Sequence, residues 1–316
     1  MNILDAVIQG IVQGLTEFLP ISSSGHLLMA QHILGVRENN LFFNVMLHIG
    51  TLAAVLAVYY KTVWNLIKAF FEIVRDVITG KFNFKKLTEY QNLVIMLVIG
   101  LIPLFLLFLP VPGSGTNIKG VAEELASDKN IIMVGVSLLI TCVLLKMGIN
   151  HRKSTKFNYA YLDSNNNKRV WDGRTRLNVM DAVWIGVTQV VASIFPGISR
   201  SGSTLSTGLL RGISKQTALD YSFILGIPAI MAAAAIELKD AAEAGAMSSV
   251  GIVQVIVGMV VSAIVGFLSI KLFKWLLKTD KMMVFVVYTF VVGIAAIVIG
   301  IVEQFMGINI FTGFSL

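Results

Sequence analysis

Two short stretches of this sequence hold residues whose types and spacing suit phosphate chemistry. The first is Gln13-Gly14-Leu15-Thr16-Glu17-Phe18-Leu19-Pro20-Ile21-Ser22-Ser23-Ser24-Gly25-His26. Glu17 lies deep in an apolar run, where an unpaired carboxylate costs at least about 2.5–3.5 kcal/mol on insertion scales. Gln13 stands four positions earlier, so both side chains share one helical face. Together they offer oxygen ligands to a hard divalent cation, Mg2+ or Ca2+. The plain alternative is a hydrogen-bonding pair that joins helices. Ser22, Ser23, Ser24 and His26 follow at a polar bend. Phosphoryl transfer needs a nucleophile, an acid or base, and neutralisation of charge around the moving phosphate. A serine can attack if a base stands near it, and a histidine exchanges protons near neutral pH. His26 follows Ser23 by three residues at a helix start, so contact is feasible. Attack by water with His26 as base is also open, and the plain alternative is a satisfied interior histidine.

The second stretch is Pro196-Gly197-Ile198-Ser199-Arg200-Ser201-Gly202-Ser203-Thr204. Arg200 is the one arginine expected near the bilayer midplane, and at that depth it needs an anionic partner. Its planar fork matches phosphate oxygens. The flanking glycines and the N-terminus of the next helix add N–H donors. Ser199, Ser201, Ser203 and Thr204 add hydroxyls, so the stretch reads as an oxyanion cradle. The alternative is an internal Arg200–Glu17 ion pair without a ligand. His48 either faces the same cavity or packs between helices. His32 and His151 are expected to be solvated near interfaces. Asp5, Asp181 and Glu237 are assigned to structure, the first two at helix N-terminal turns.

What positions these residues is a membrane fold. The chain has 316 residues, 56% apolar and only 14% charged, with mean hydropathy +0.79. Soluble domains carry roughly a quarter charged residues, so the second apolar solvent here is lipid. Six full helical spans are expected at about Leu41–Tyr60, Asn92–Leu109, Ile131–Ile149, Thr217–Leu238, Gly251–Phe273 and Met283–Val302. Phe70–Lys86 suits an interfacial helix. No cleavable leader is expected, because Asp5 and Glu17 interrupt the first apolar segment. The single cysteine, Cys142, is assigned to packing.

Ile3–Leu34 and residues 179–212 are each broken by one of the two motifs. Their return legs are too short to cross, so both are expected to be re-entrant helical hairpins. They also match each other. Asp5, Gly10, Gln13 and Pro20 correspond at one offset to Asp181, Gly186, Gln189 and Pro196. After one inserted residue, Ser22, Ser24 and Gly25 correspond to Ser199, Ser201 and Gly202. The expectation is a duplication, with a first repeat over 1–150, a linker over 151–178 and a second repeat over 179–316. Three spans per repeat invert the second half relative to the first, bringing the two bends together near the midplane.

Loop charges give the orientation. Lysines and arginines crowd the loop after the first span, the linker and the loop between the last two spans. The intervening loops mix Lys119, Lys129 and Lys239 with acids. The basic loops are therefore assigned to the cytoplasm. Both termini then lie outside, and the site opens outward. The net charge of +7 is explained by this orientation, so no nucleic-acid partner is expected. The linker's polar centre, 163–168, reads as a cytoplasmic turn or small hairpin.

Both motifs, in this order and over essentially the whole chain length, resemble those of the bacterial undecaprenyl-diphosphatases. The resemblance implies a multi-pass plasma-membrane enzyme. It would hydrolyse a polyprenyl diphosphate to the monophosphate and phosphate, recycle the carrier lipid for peptidoglycan and other wall polymers, and confer bacitracin resistance. It places the family's acidic motif on Gln13 and Glu17, its serine on Ser23 beside Ser22, its histidine on His26 and its arginine on Arg200. The flanking hydroxyls fall on Ser199, Ser201 and Thr204. A glutamine at position 13 departs from a two-carboxylate metal pair. A homodimer is compatible with such a chain. The rival class is a polyprenyl-phosphate flippase or other inverted-repeat transporter.

Overall fold

The computed structural model describes residues 1–36, 41–113, 115–127, 131–153, 160–162, 168–170, 173–243 and 250–315. Among these the chain is helical apart from one small hairpin. The helices are α1 (Ile3–Phe18), α2 (Ser23–Ile33), α3 (Leu41–Ile78), α4 (Glu89–Leu101), α5 (Ile118–Ser127), α6 (Ile131–Lys153), α7 (Val179–Ile194), α8 (Arg200–Leu210), α9 (Lys215–Glu243), α10 (Ile252–Lys278) and α11 (Met283–Met306). Strands β1 (Ala160–Leu162) and β2 (Lys168–Val170) pair antiparallel in the linker. Of the turn expected at 163–168, residues 163–167 lie outside the described residues and Lys168 begins β2; Asp128, Lys129 and Lys156 of the charge pattern also lie outside them.

Six helices are long and apolar enough to cross a membrane: Phe42–Ile78, Glu89–Phe108, Ile131–His151, Lys215–Glu243, Ile252–Lys278 and Met283–Met306. These are the six spans read from the sequence, with two revisions. The first does not end at Tyr60, and the segment placed at the interface from Phe70 joins it. No glycine or proline separates Thr51 from Thr79, so nothing stops the helix. Only Tyr59 leaves helical geometry (φ −106°, ψ 18°). The second starts earlier, because Thr88 and Gln91 form a capping box. It tightens into a 3-10 helix over Ile102–Phe108, where Pro103 removes a backbone donor.

The two broken segments are helix–turn–helix pairs, α1 with α2 and α7 with α8, and their ends are built alike. Asn2 and Asp5 form a capping box at the start of α1, and Asn178 and Asp181 form one at the start of α7. At the bends, Ser22 Oγ accepts from the Gly25 amide and Ser199 Oγ from the Gly202 amide. The backbones solve the reversal differently. Gly197 takes φ 98° in the second bend, whereas Ser22 takes φ 74° in the first. The first bend has no glycine before Gly25, so a serine carries a conformation that costs a non-glycine residue energy. Each leading helix also crosses a span of the other half at close range. A methyl on Gly10 would meet the carbonyl of Gly258, and one on Gly186 the carbonyl of Gly100.

The core gathers where these elements converge. Phe18, at the end of α1, meets Phe223 of α9 edge-on (centroids 5.4 Å), and Phe273 of α10 meets Phe285 of α11 likewise (5.2 Å). Cys142 is buried, and its Sγ donates to the Val286 carbonyl. Asp181 is fully buried and holds both Arg174 (2.9 and 3.0 Å) and Arg211 (3.0 Å), which ties the base of the α7–α8 pair. His151 is exposed, as expected. His32 is not solvated: its Nε2 lies 2.9 Å from Glu303 Oε1, and Asn309 Nδ2 donates to its carbonyl. That network anchors the chain after α11 to α2.

Candidate active site

The bends of the two helix pairs meet, and one carboxylate joins them. Glu17, in the last turn of α1, is buried with a side chain only 2% exposed. Its Oε1 accepts from Nη2 of Arg200 at 2.5 Å. Its Oε2 accepts from Ser23 Oγ at 2.7 Å and from Gln13 Nε2 at 2.9 Å. Gln13 Nε2 also lies 2.9 Å from His48 Nδ1, which stands 3.4 Å from Glu17 Oε2. A buried carboxylate is tolerated when its lone pairs are filled and its charge is matched, and both conditions hold here.

These groups border a cavity of about 430 Å3. Glu17, Ser22, Ser23, Ser24, His48 and Arg200 form a polar part of its wall. Leu104, Leu107 and Phe108 of the 3-10 segment and Ala229 to Ile236 of α9 give an apolar part. The combination of a few convergent polar groups in an apolar cleft is the usual form of a small-ligand site. It fits an anionic headgroup with a hydrocarbon tail.

Of the remaining residues expected here, several serve the bends and do not line the cavity. Ser199 Oγ caps α8, and its amide donates to Thr141 Oγ1 (3.0 Å). Ser201 Oγ donates to the Leu19 carbonyl (3.1 Å), a direct tie between the bends. Thr204 Oγ1 donates to the Arg200 carbonyl (2.8 Å) and pairs with Ser222 Oγ (2.6 Å). His26 lies apart from Ser23's hydroxyl. Its Nδ1 bonds the Ser22 carbonyl at 2.7 Å and its Nε2 meets the Tyr288 hydroxyl at 2.8 Å, with the two rings stacked. A carbonyl only accepts, so Nδ1 carries the proton and Nε2 accepts from Tyr288.

Sequence reasoning left four cavity residues without chemistry: Gln189, Ser193, Glu237 and Lys119. Gln189 had a signal, its match to Gln13, whereas Lys119 sits on α5, a short helix that was not anticipated.

A divalent cation would find a sparse donor set here, Glu17 and the buried Oε1 of Gln13. Among the described residues no three His, Cys, Asp or Glu side chains converge on a metal-sized point. Both Glu17 oxygens accept hydrogen bonds, and Gln13 turns its amide nitrogen toward the carboxylate, which leaves its Oε1 buried without a partner among the described residues. A hard cation needs several converging oxygens.

Known proteins are similar to this chain over nearly its whole length. Residues 6–295 match the family described as bacitracin resistance protein BacA. A protein of Methanosphaera stadtmanae named undecaprenyl-diphosphatase is 34% identical over 96% of this chain and 99% of its own length. One of the same name from Alkaliphilus metalliredigens is 35% identical over 93% and 97%, and one from Korarchaeum cryptofilum 37% identical over 93% and 98%. The match spans both bends, all the cavity walls and five of the six apolar helices in full, and the chain belongs to the BacA family.

Proposed function

We propose that this chain hydrolyses undecaprenyl diphosphate to undecaprenyl phosphate and inorganic phosphate in the cavity between the two bends. Such an activity returns the carrier lipid to use and underlies bacitracin resistance. The observation that carries the site assignment is Ser23 Oγ at 2.7 Å from a carboxylate oxygen whose partner oxygen holds a guanidinium.

The chemistry follows from those contacts. The diphosphate draws Arg200 from Glu17, and the guanidinium then neutralises charge on the terminal phosphate. Glu17 takes the Ser23 proton as Oγ attacks the terminal phosphorus. The anhydride P–O bond breaks, and its electron pair leaves with undecaprenyl phosphate. Water, deprotonated by His48, then cleaves the phosphoserine while Glu17 returns its proton to the departing Ser23 oxygen, and phosphate is released. His26 acts as a positioning residue: it holds the Ser22 carbonyl and so the strained turn that presents Ser23. Ser199, Ser201 and Thr204 do the same for Arg200. A cation held at Gln13 and Glu17 would neutralise further charge on the diphosphate.

In the membrane, the α1–α2 and α7–α8 pairs are re-entrant hairpins of an inverted repeat, entering from opposite faces. The matched capping boxes, the matched serine caps and the reciprocal crossings at Gly10 and Gly186 support this reading. The loop charges put both termini outside and open the cavity outward. Relatives of this chain include archaeal proteins, so the family resemblance alone does not restrict the host membrane to a bacterium.

The test is phosphate release from undecaprenyl diphosphate by purified protein in detergent, with and without EDTA, for the wild type and Ser23→Ala. Wild-type release that is abolished in the variant supports the assignment. Full release by Ser23→Ala removes the serine nucleophile. Absence of release from the wild type favours the transporter reading, to which the repeat architecture also lends itself.

A further inference from the structure

The cavity holds a polar side chain that the mechanism above does not use. Gln189 of α7 is 1% exposed and lines the same space as Glu17, Ser23 and Arg200. Neither its Nε2 nor its Oε1 has a hydrogen-bond partner among the described residues. Buried polar groups are nearly always paired, because leaving water without a replacement partner is unfavourable. A carboxamide with both ends empty, at the wall of a cavity, is suited to a group that arrives from outside.

Its counterpart explains why it is empty. Gln13, at the matching place in the first half, has its amide nitrogen held by Glu17 and His48. One turn after Gln189 stands Ser193, where the first half has Glu17. Ser193 Oγ donates back to the carbonyl of Gln189 at 2.9 Å, so it leaves the carboxamide alone. The second half thus presents the same amide without the acid that would occupy it.

The chemistry of the missing partner can be narrowed. Glu17, Ser23, Arg200, Gln13 and His48 bond one another in one cluster, suited to the phosphate under attack. A diphosphate brings a second phosphate, rich in acceptor oxygens and still attached to the hydrocarbon chain. That group gains negative charge when the anhydride breaks. A neutral donor can hold it without trapping the product as a second guanidinium would.

We propose that Gln189 binds the lipid-linked phosphate of the diphosphate, its Nε2–H donating to a non-bridging oxygen. The proposal rests on the hydrolase reading of the same cavity. Its test uses Gln189→Met, nearly isosteric and apolar, and Gln189→Glu, which sets a carboxylate against the phosphate. Phosphate release from undecaprenyl diphosphate and thermal melting are both measured on purified full-length protein.

For Gln189→Met, KM is expected to rise about tenfold with kcat within about threefold. Its melting temperature without substrate should be equal or higher, since an unpaired buried amide has gone. Inhibition by undecaprenyl phosphate, which carries the same lipid-linked phosphate, should weaken by a similar factor. Gln189→Glu should raise KM further. An unchanged KM overturns the proposal, as does a fall in melting temperature with an equal loss of kcat, which marks a structural amide. If the wild type releases no phosphate, the hydrolase reading fails by itself. The amide is then judged by the melting shift that undecaprenyl diphosphate produces: a smaller shift in Gln189→Met supports it and an equal shift overturns it.

Discussion

Arg200 and Glu17 stand 183 positions apart in the chain, yet Nη2 of one lies 2.5 Å from Oε1 of the other. Each comes from the bend of a different helix pair, so this contact is what makes the two halves one site. It also keeps a guanidinium in place while no anion is present. A charge-matched pair costs less at this depth than either charge alone. A phosphate can replace the carboxylate without creating a bare cation. Arg200→Lys tests whether the fork matters beyond its charge. Lysine offers a point charge and loses the planar two-donor edge. Phosphate release should fall by about 100-fold, the loss typical for removing one transition-state donor. Near-normal turnover in this variant would falsify the bidentate role.

Glu17→Gln should lower turnover as severely as Ser23→Ala, because one removes the proton acceptor and the other the group that attacks. The two act as a unit through a 2.7 Å hydrogen bond, so their losses should not add. The measurement is kcat for both single variants and the double variant. Additive losses would show that Glu17 serves only Arg200 and leaves Ser23 to another base. Glu17→Gln also strands the Arg200 charge, so its melting temperature should drop while that of Ser23→Ala changes little.

The geometry of His26 separates positioning from proton transfer. Its Nδ1–H donates to the Ser22 carbonyl, and its Nε2 is covered by Tyr288. His26→Ala should therefore slow turnover by about tenfold, roughly the worth of a lost buried hydrogen bond. His26→Asn keeps an N–H near the place of Nδ1 and should recover most of that loss. Asparagine cannot act as a base near neutral pH, so recovery with an unchanged pH–rate profile establishes positioning. Failure of His26→Asn, with a pH limb missing, would return the histidine to the chemistry.

Much of this architecture is legible in the sequence because lipid enforces it. A helix in lipid must satisfy its own backbone, so apolar length alone locates the six spans. The bends are legible because Pro20 and Pro196 end helices and because serine, glycine and arginine have no cheap place in hydrocarbon. What escapes is set by contacts between distant segments. The sequence allowed Ser23 to meet His26, since three residues separate them. The structure turns Ser23 to Glu17 because Ser22 adopts φ 74°, a strained choice that no local preference announces. Likewise Ser201 was expected to face an anion, but its hydroxyl reaches the Leu19 carbonyl of the other bend. A position on a polar bend identifies candidates, and only tertiary packing decides which of them line the cavity.

Gly226 gives a test of that packing that leaves every polar group intact. It lies on α9, and a methyl built on it would collide with Nη1 of Arg200 and stand 3.2 Å from its Cζ. The guanidinium therefore rests against bare backbone, with α9 on one side and Glu17 on the other. In a helix interior, replacing glycine by alanine is ordinarily stabilising by up to about 1 kcal/mol. Gly226→Ala should nevertheless impair catalysis, because the methyl takes the place of Nη1 and the guanidinium must swing away from the position in which it meets Glu17. A displacement near 1 Å at a group that stabilises a transition state can cost about 100-fold in rate. Turnover should thus fall by about that factor while the melting temperature holds or rises. Full activity in Gly226→Ala would mean that the guanidinium works from some other position, and the Arg200–Glu17 contact would lose its standing as the centre of the site.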